Sequence, residues 1–208
     1  MTRPKSPVIR LYTQARNPFS EKVAAALGLK KLAFERVISE DPEDVKRWSP
    51  IARTLPVLEI DGAAVTQSNA MCRYVGKMAD LYPDDDLQAL YCDEAMDAIE
   101  DLLHYIVHTF GLQGDELKRA RKKLADGWLS VYLRGLDELL TRGGGDFFAD
   151  NRMTVADLKV FMQTKSLLAG TLDHVPTDIV ERLAPGLVGH KKRIESDPRV
   201  VAYYASRQ

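Results

Sequence analysis

The chain has only two cysteines among its 208 residues, Cys72 and Cys92. Two thiols cannot build a disulfide framework or a zinc site, and both fall in helical patterns, so we expect buried, reduced thiols. The formal net charge is −1, and the one-sided basic excess that nucleic-acid binding needs is absent. The most basic segment, residues 118–123, has helical spacing and is interpreted as a solvated face.

Long apolar runs are also lacking. No window approaches the roughly 18–20 apolar residues of a membrane span, so we expect no membrane partner. The basic residues 1–7 are followed by a short apolar run that Arg10 interrupts, unlike the core of a signal peptide. We therefore expect a cytoplasmic protein. The composition, 45% hydrophobic and 28% charged, is ordinary for a folded chain of one large or two small domains.

The segment of residues 54–68 predicts a β-hairpin. An apolar run at residues 57–60 meets Asp61-Gly62 and resumes at residues 63–65. Asp-Gly between two apolar runs is the strongest short-range signal for a hairpin.

Both ends of this hairpin indicate a binding site. Leu55-Pro56 lies at the start of the first strand of the hairpin, the position in a strand where the missing backbone N–H of a proline costs little. Pro56 is also a candidate for the cis form. Gln67-Ser68 opens an apolar helical pattern, with Ser68 at the expected N-cap. Ser68 either caps its own helix only, or the helix N-terminus binds a carboxylate or phosphate.

The first part of the chain alternates strands and helices. Residues 8–13 are strand-like, Asn17 precedes a proline at the first position of a helix, and residues 34–38 form a second strand, so a parallel β-α-β unit is predicted. A short helix at residues 43–48 leads into the hairpin. The order β-α-β-α-β-β-α predicts an α/β thioredoxin-like domain, with a mixed four-stranded sheet covered by helices.

After the acidic linker at residues 84–86, strand signals stop. Residues 87–110 and then 124–139 keep apolar side chains at helical spacing, which predicts an all-α bundle. Thr154 and Asp157 form a capping box in front of a very apolar helix. We expect a thioredoxin-like domain at residues 1–83 and an all-helical domain at residues 87–208.

Residues 55–62 and 67–76 resemble the glutathione-binding core of the cytosolic glutathione transferases, closest to the mu, pi and sigma classes. The resemblance covers nearly the whole chain. It implies a transferase that conjugates the thiolate of glutathione, its co-substrate, to hydrophobic electrophiles in detoxification, as a homodimer without metal. Alternatives are glutathione-dependent isomerisation or peroxide reduction, and a non-catalytic glutathione-binding module.

The resemblance also implies the glutathione contacts. The γ-glutamyl carboxylate docks on Gln67 and Ser68, and the backbone before the cis-proline pairs with the cysteinyl part. The implied glutathione-binding residues are Tyr12, Trp48, Arg53, Thr54, Leu55, Pro56, Gln67, Ser68 and Asp101.

Several of these positions have alternatives. Trp48 or Arg53 is expected to hold the glycine carboxylate, with Lys46 and Arg47 as weaker candidates. Asp101 resembles the acid that reaches the γ-glutamyl ammonium from a neighbouring subunit, with Asp97 a second possibility.

Two residues compete for the catalytic role, with Tyr12 the preferred activator and Asn17 its rival. Tyr12, at the end of the first strand, corresponds to the tyrosine whose hydroxyl favours thiolate, but counting back from Glu21 selects Thr13 instead. The first-strand loop is divergent, because the Arg-Gly-Arg that follows the tyrosine in those classes is absent. Asn17-Pro18-Phe19 instead resembles the Ser-Pro-Phe of tau and omega enzymes, and an Asn amide can donate to a thiolate.

The helical domain supplies the remaining candidates. His104, Tyr105 and His108 are placed by analogy in the electrophile pocket. The two histidines lie one helical turn apart, but no third ligand accompanies them, so no metal is expected. Ala52 stands where mu and pi dimers carry an aromatic key, so a flatter dimer contact is expected, with a monomer as the alternative.

Overall fold

The computed structural model describes residues 6–15, 17–49 and 53–206. The chain divides into two compact units, one up to residue 79 with the C-terminal residues from 202, the other at residues 80–201. The elements are β1 (Ile9–Thr13), α1 (Pro18–Leu29), β2 (Glu35–Ile38), α2 (Pro42–Trp48), β3 (Val57–Ile60), β4 (Ala63–Val65), α3 (Ser68–Met78), α4 (Asp86–Val107), α5 (Gly114–Asp126), α6 (Trp128–Arg142), α7 (Val155–Leu168), α8 (Ile179–Leu183), α9 (Pro185–Ser196) and α10 (Pro198–Ala205).

The first unit contains the predicted mixed sheet, in the order β2-β1-β3-β4. β1 is parallel to β2 and antiparallel to β3, and β3 and β4 form the hairpin. At its turn Asp61 and Gly62 have φ values of 50° and 88°, the left-handed conformation that a two-residue hairpin loop requires. The predicted thioredoxin-like sheet is confirmed.

β1 has two different faces. Ile9, Leu11 and Thr13 are buried, whereas Arg10 and Tyr12 are half-buried on the opposite face, as the alternation of side chains in a strand requires. α1 packs against both β1 and α3. The direction in which Tyr12 points is therefore fixed by the core that its neighbours form.

The second unit is helical, as predicted. α7 is its centre, because most of its residues are buried and both α4 and α9 pack against it. The capping box of Thr154 and Asp157 is present. None of the helices among the described residues has the length and apolar character that crossing a bilayer requires.

Two local predictions were wrong. The single helix expected over residues 124–139 is divided into α5 and α6 at Gly127, whose φ of −110° and ψ of −114° lie outside the helical region. Ser68 is the first residue of α3 rather than its N-cap, because Gln67 occupies the cap position with a φ of 77°. Apolar periodicity continues across Gly127 and does not reveal the break there, whereas at Ser68 the pattern fixes the start of the helix only to within one or two residues.

Candidate functional site

The candidate site begins at the N-terminus of α1. Asn17 Oδ1 accepts hydrogen bonds from the backbone N–H groups of Phe19 and Ser20, both at 3.0 Å, and Pro18 occupies the first turn. This capping explains why the helix begins here. The Asn17 amide nitrogen Nδ2 makes a long contact of 3.5 Å with the carbonyl oxygen of Leu55. The side-chain amide of Asn17 therefore lies beside the start of β3.

The peptide bond between Leu55 and Pro56 is cis, as predicted, and both residues are buried. The neighbouring Thr54 is exposed, and its hydroxyl lies 3.5 Å from the Leu55 carbonyl oxygen. Arg53 is also exposed, with a left-handed φ of 50°. Asn17, Thr54 and Leu55 thus meet at one point of the first unit.

The N-terminus of α3 presents the pair Gln67-Ser68. The carbonyl of Gln67 accepts the first helical hydrogen bond, from Met71 N at 3.1 Å. Ser68 is buried in the first turn, whereas Gln67 is exposed. Because the first N–H groups of a helix and its dipole favour negative charge, this terminus suits a carboxylate.

Tyr12 is hydrogen-bonded to the carboxylate of Glu59. Its hydroxyl donates a hydrogen bond to Glu59 Oε2 at 3.0 Å, and Arg10 Nη1 pairs with Glu59 Oε1 at 2.7 Å. The ring of Tyr12 lies 4.9 Å from that of Trp48 between centroids, at 39°. Burial, followed by the hydrogen bond to Glu59, raises the pKa of the Tyr12 phenol above its ordinary value.

Thr13, the other residue that the sequence count selects, is completely buried. Its hydroxyl donates to Ser20 Oγ at 2.7 Å, and Ser20 Oγ donates to the carbonyl oxygen of Asn17 at 2.9 Å. This chain of hydroxyl groups ties the end of β1 to the first turn of α1. Ser20 is interpreted from the sequence as a structural residue of the segment that starts with Asn17-Pro18-Phe19, and these bonds agree with that role, but its bond to Thr13 was not predicted.

Glu59 was also missed as a partner of Tyr12. The signal was available in the strand pattern, because β3 pairs antiparallel to β1 with Arg10 opposite Glu59. Residues directly or diagonally opposite on one face of a sheet lie within side-chain reach. The weaker glycine-carboxylate candidates Lys46 and Arg47 form ion pairs within α2, to Glu43 and Asp44.

In the second unit, Asp101 is exposed and accepts a hydrogen bond from the hydroxyl of Tyr132 at 3.2 Å. Burial and this hydrogen bond raise the pKa of Tyr132. Tyr105 stacks on Trp128, with ring centroids 5.0 Å apart and an interplanar angle of 15°. Asp97 is exposed.

His104 of α4 and His108, the residue that caps the end of this helix, are both exposed, and a ring nitrogen of His108 lies 2.7 Å from the carbonyl oxygen of His104. The described part of the chain contains no group of three His, Cys, Asp or Glu side chains that could hold a metal ion. Ala52, the position of the dimer key, lies outside the described residues.

Comparison with known proteins identifies the family. A profile described as "Glutathione S-transferase, N-terminal domain" matches residues 18–78, and one described as "Glutathione S-transferase, C-terminal domain" matches residues 100–207. The chain is 26% identical over 183 residues to glutathione S-transferase alpha-2 of Rattus norvegicus, covering 85% of this chain and 77% of the rat protein.

Two solved structures share the fold. A sigma class glutathione S-transferase of Fasciola hepatica superposes with a TM-score of 0.83 at 20% identity, covering 98% of both chains. A monomeric glutathione S-transferase of the hookworm Necator americanus superposes with a TM-score of 0.80 at 19% identity, covering 97% of this chain and 98% of the hookworm protein. The chain belongs to the glutathione S-transferase family of enzymes, which use glutathione as co-substrate.

Proposed function

We propose that this protein binds glutathione in its first unit and conjugates the thiolate to hydrophobic electrophiles in detoxification, with Asn17 as the group that stabilises the thiolate. The observation that carries the proposal is the contact of 3.5 Å between Asn17 Nδ2 and the Leu55 carbonyl oxygen. The backbone of Leu55 is the proposed anchor of the cysteinyl part of glutathione, so the Asn17 amide lies beside the proposed position of the sulfur.

The rest of glutathione is assigned by charge. The γ-glutamyl carboxylate is proposed to bind at the N-terminus of α3, where Gln67 and Ser68 begin the helix. The glycine carboxylate is proposed to bind Arg53, because its exposed guanidinium can form a bidentate pair with a carboxylate. Trp48 is the less suitable candidate, since its ring packs on Tyr12.

Thiolate stabilisation by Asn17 uses two effects. A free thiol has a pKa near 8.5 and is only a few per cent ionised at neutral pH, so lowering this pKa raises the concentration of nucleophile. An amide donor and the positive end of the α1 dipole both favour the charged sulfur. Asn17 cannot accept the proton, which passes to solvent. The sulfur then forms a bond to the electrophilic carbon, and the bond from that carbon to its leaving group breaks, which for an activated aryl halide releases the halide ion.

A non-catalytic glutathione-binding module is the second candidate function. It is favoured by one observation, the hydrogen bond from the Tyr12 hydroxyl to Glu59, because this hydroxyl is the donor that mu, pi and sigma enzymes use. Glutathione-dependent isomerisation or peroxide reduction would use the same thiolate and the same Asn17.

The electrophile is proposed to bind along α4 at His104, Tyr105 and His108. We also propose a homodimer, in which Asp101 of one subunit reaches the γ-glutamyl ammonium held by the other. Large apolar side chains are exposed on the helix that carries Asp101 and on the helix that carries its partner Tyr132, Leu90 of α4 at 61% and Val131 of α6 at 56%, as expected of an interface.

The experiment is a pair of measurements on three variants. Calorimetry gives the affinity for glutathione, and the conjugation rate is followed with an activated aryl halide. Ser68→Ala is expected to weaken glutathione binding about tenfold, whereas Asn17→Ala is expected to lower kcat at least tenfold with a smaller change in affinity. Ser196→Ala, an exposed serine at the end of α9, is the control and should change neither.

Glutathione binding without conjugation of any aryl halide would favour the non-catalytic module. Unchanged binding in Ser68→Ala would refute the assigned carboxylate site.

A further inference from the structure

The N-terminus of α1 is held from the core side by two buried hydroxyl groups. Thr13, at the end of β1, and Ser20, near the start of α1, are both completely buried. Thr13 Oγ1 donates to Ser20 Oγ at 2.7 Å, and Ser20 Oγ donates to the carbonyl oxygen of Asn17 at 2.9 Å. The two hydroxyl groups therefore connect the sheet to the backbone of Asn17.

The order of donors in this chain follows from the number of protons. A hydroxyl group has one proton to donate and two lone pairs that accept. The Ser20 proton is used on the Asn17 carbonyl oxygen, so Ser20 Oγ accepts the proton of Thr13. Thr13 Oγ1 also lies 3.0 Å from the carbonyl oxygen of Gln14, a longer contact than that with Ser20. The Thr13 hydroxyl thus holds Ser20 in the orientation that donates to Asn17.

Ser20 also determines which way the amide of Asn17 points. Its backbone N–H donates to Asn17 Oδ1 at 3.0 Å, as does the backbone N–H of Phe19. Because the oxygen of a carboxamide accepts and its nitrogen donates, these two bonds assign the oxygen to the side of the helix. Nδ2 is consequently turned towards the Leu55 carbonyl oxygen, 3.5 Å away. Ser20 therefore holds both the main chain and the side chain of Asn17.

Neither hydroxyl group of this chain can act on glutathione directly. Thr13 and Ser20 have no exposed surface, and both hydroxyl protons are used within the protein. The neighbouring hydroxyl of Tyr12 lies on the opposite face of β1 and donates to Glu59. Any influence of Thr13 on the reaction must therefore pass through Ser20 to Asn17.

We propose that Thr13 and Ser20 are positioning residues for thiolate stabilisation, because their hydroxyl groups keep Asn17 Nδ2 directed at the sulfur of glutathione. This inference rests on the proposed function, since it requires Asn17 to be the donor to the thiolate. A misplacement of about 1 Å at a reacting group can lower the rate about 100-fold. Buried hydrogen bonds behind the donor supply the fixed orientation that such a site needs.

The segment around Asn17 has further anchors that do not depend on these hydroxyl groups. The backbone N–H of Ala15 donates to Glu40 Oε1 at 2.8 Å. Asn17 Oδ1 accepts its two bonds from backbone N–H groups, and the Asn17 carbonyl oxygen also accepts a longer bond of 3.4 Å from Glu21 N. Loss of the Thr13 hydroxyl is therefore expected to shift Asn17 without unfolding the start of α1.

The test compares single variants of the full chain. Thr13→Val replaces the hydroxyl with a methyl group of similar size, and Thr13→Ser restores the donor. Ser20→Ala removes the middle hydroxyl and keeps the backbone N–H. Thr164→Val, at a buried threonine of α7 in the second unit, is the matched control. The thiolate absorbance across pH gives the pKa of the bound glutathione thiol, and the reaction with an activated aryl halide gives kcat and KM.

We expect Thr13→Val and Ser20→Ala to raise the pKa of the bound thiol towards the free value of about 8.5 and to lower kcat about tenfold, with the KM for glutathione within about twofold. Thr13→Ser and Thr164→Val are expected to keep the pKa and kcat of the wild type. Adding Thr13→Val to Asn17→Ala is expected to lower kcat by less than about twofold more, because the hydroxyl acts through Asn17.

The failure of this inference is distinguishable from that of the proposed function. If Asn17→Ala raises the thiol pKa whereas Thr13→Val and Ser20→Ala behave like Thr164→Val, the positioning role is overturned and the proposed function stands. An unchanged thiol pKa in Asn17→Ala would overturn both. A further tenfold loss from Thr13→Val in the Asn17→Ala background would overturn the positioning role alone. Ser20→Ala decides the question if Thr13→Val does not fold.

Discussion

The hydroxyl of Tyr12 donates a hydrogen bond to Glu59 Oε2 at 3.0 Å across the β1–β3 pair. Arg10 pairs with the other oxygen of the same carboxylate at 2.7 Å. A phenol hydroxyl has one proton, so in this arrangement the Tyr12 donor is occupied. The relationship separates the structural role of Tyr12 from the catalytic role proposed for Asn17.

The first prediction concerns the pKa of Tyr12. Burial and the negative charge of Glu59 both raise it, so Glu59→Gln is expected to lower this pKa towards the ordinary tyrosine value of about 10. Alkaline titration of the phenolate absorbance measures the change, and Tyr12→Phe identifies the Tyr12 band. A pKa for Tyr12 that is unchanged in Glu59→Gln would contradict the hydrogen bond.

The same shift has a consequence for stability. The folded protein holds the Tyr12 proton more tightly than the unfolded chain. The contribution of this proton to the free energy of unfolding is therefore complete below a pH of about 10 and is lost as the pH rises through the higher folded pKa. Urea unfolding of the wild type and of Tyr12→Phe across this range isolates the effect from that of other tyrosines. The difference in stability between the two proteins should shrink above pH 10.

The second prediction concerns Asp157, which is fully buried in the first turn of α7. Its carboxylate accepts hydrogen bonds from Phe148 N at 3.1 Å, from Thr154 N at 2.8 Å and from Thr154 Oγ1 at 2.7 Å, and His190 Nε2 lies 2.9 Å from it. Asp157→Ala leaves these groups without their acceptor, so we expect a loss of about 4 kcal/mol in the free energy of unfolding. Urea denaturation measures it.

Asp126→Ala is the matched control, because Asp126 forms an exposed pair with Lys122. Its removal should cost less than about 1 kcal/mol. Similar losses for the two alanine variants would show that the capping network does not hold the second unit together.

The sequence was sufficient where local chemistry decides the structure. Asp61-Gly62 specifies its turn, and Thr154 with Asp157 specifies a helix start, because each depends on residues adjacent in the chain. The bond between Asn17 and the start of β3 joins positions 38 residues apart, and no periodicity encodes such a contact. The break at Gly127 was missed because the apolar spacing is continuous on both sides of it.

The third prediction is a stabilising substitution. Arg121 in α5 is 6% exposed, its Nε and Nη1 make no hydrogen bond to the described residues, and burial lowers its pKa. An apolar side chain of similar length avoids this desolvation, so Arg121→Met is expected to stabilise the protein by about 1–3 kcal/mol. This should raise the Tm by roughly 2–10 °C, as measured by calorimetry.

Lys123→Met removes an exposed charge from the same helix and should change stability by no more than about 0.5 kcal/mol. A destabilised Arg121→Met protein would mean that the guanidinium is paired in solution.

The fourth prediction tests the shared site of the proposed homodimer. Asp101→Asn is expected to raise the KM for glutathione about tenfold with little change in kcat, because it removes a charge from the proposed partner of the ammonium. Asp97→Asn, one helical turn away and also exposed, should leave both constants within about twofold. Sedimentation of the wild type establishes whether a dimer forms. Equal effects of the two substitutions would contradict the role of Asp101.

The most direct test of Asn17 is the pKa of the glutathione thiol bound to the protein. The thiolate absorbance is followed across pH for the wild type, Asn17→Ala and Tyr12→Phe. We predict a pKa well below the free value of about 8.5 in the wild type and in Tyr12→Phe, and a return towards that value in Asn17→Ala. If the thiol pKa returned towards the free value in Tyr12→Phe and stayed low in Asn17→Ala, the proposed mechanism would be contradicted and thiolate stabilisation would be assigned to Tyr12.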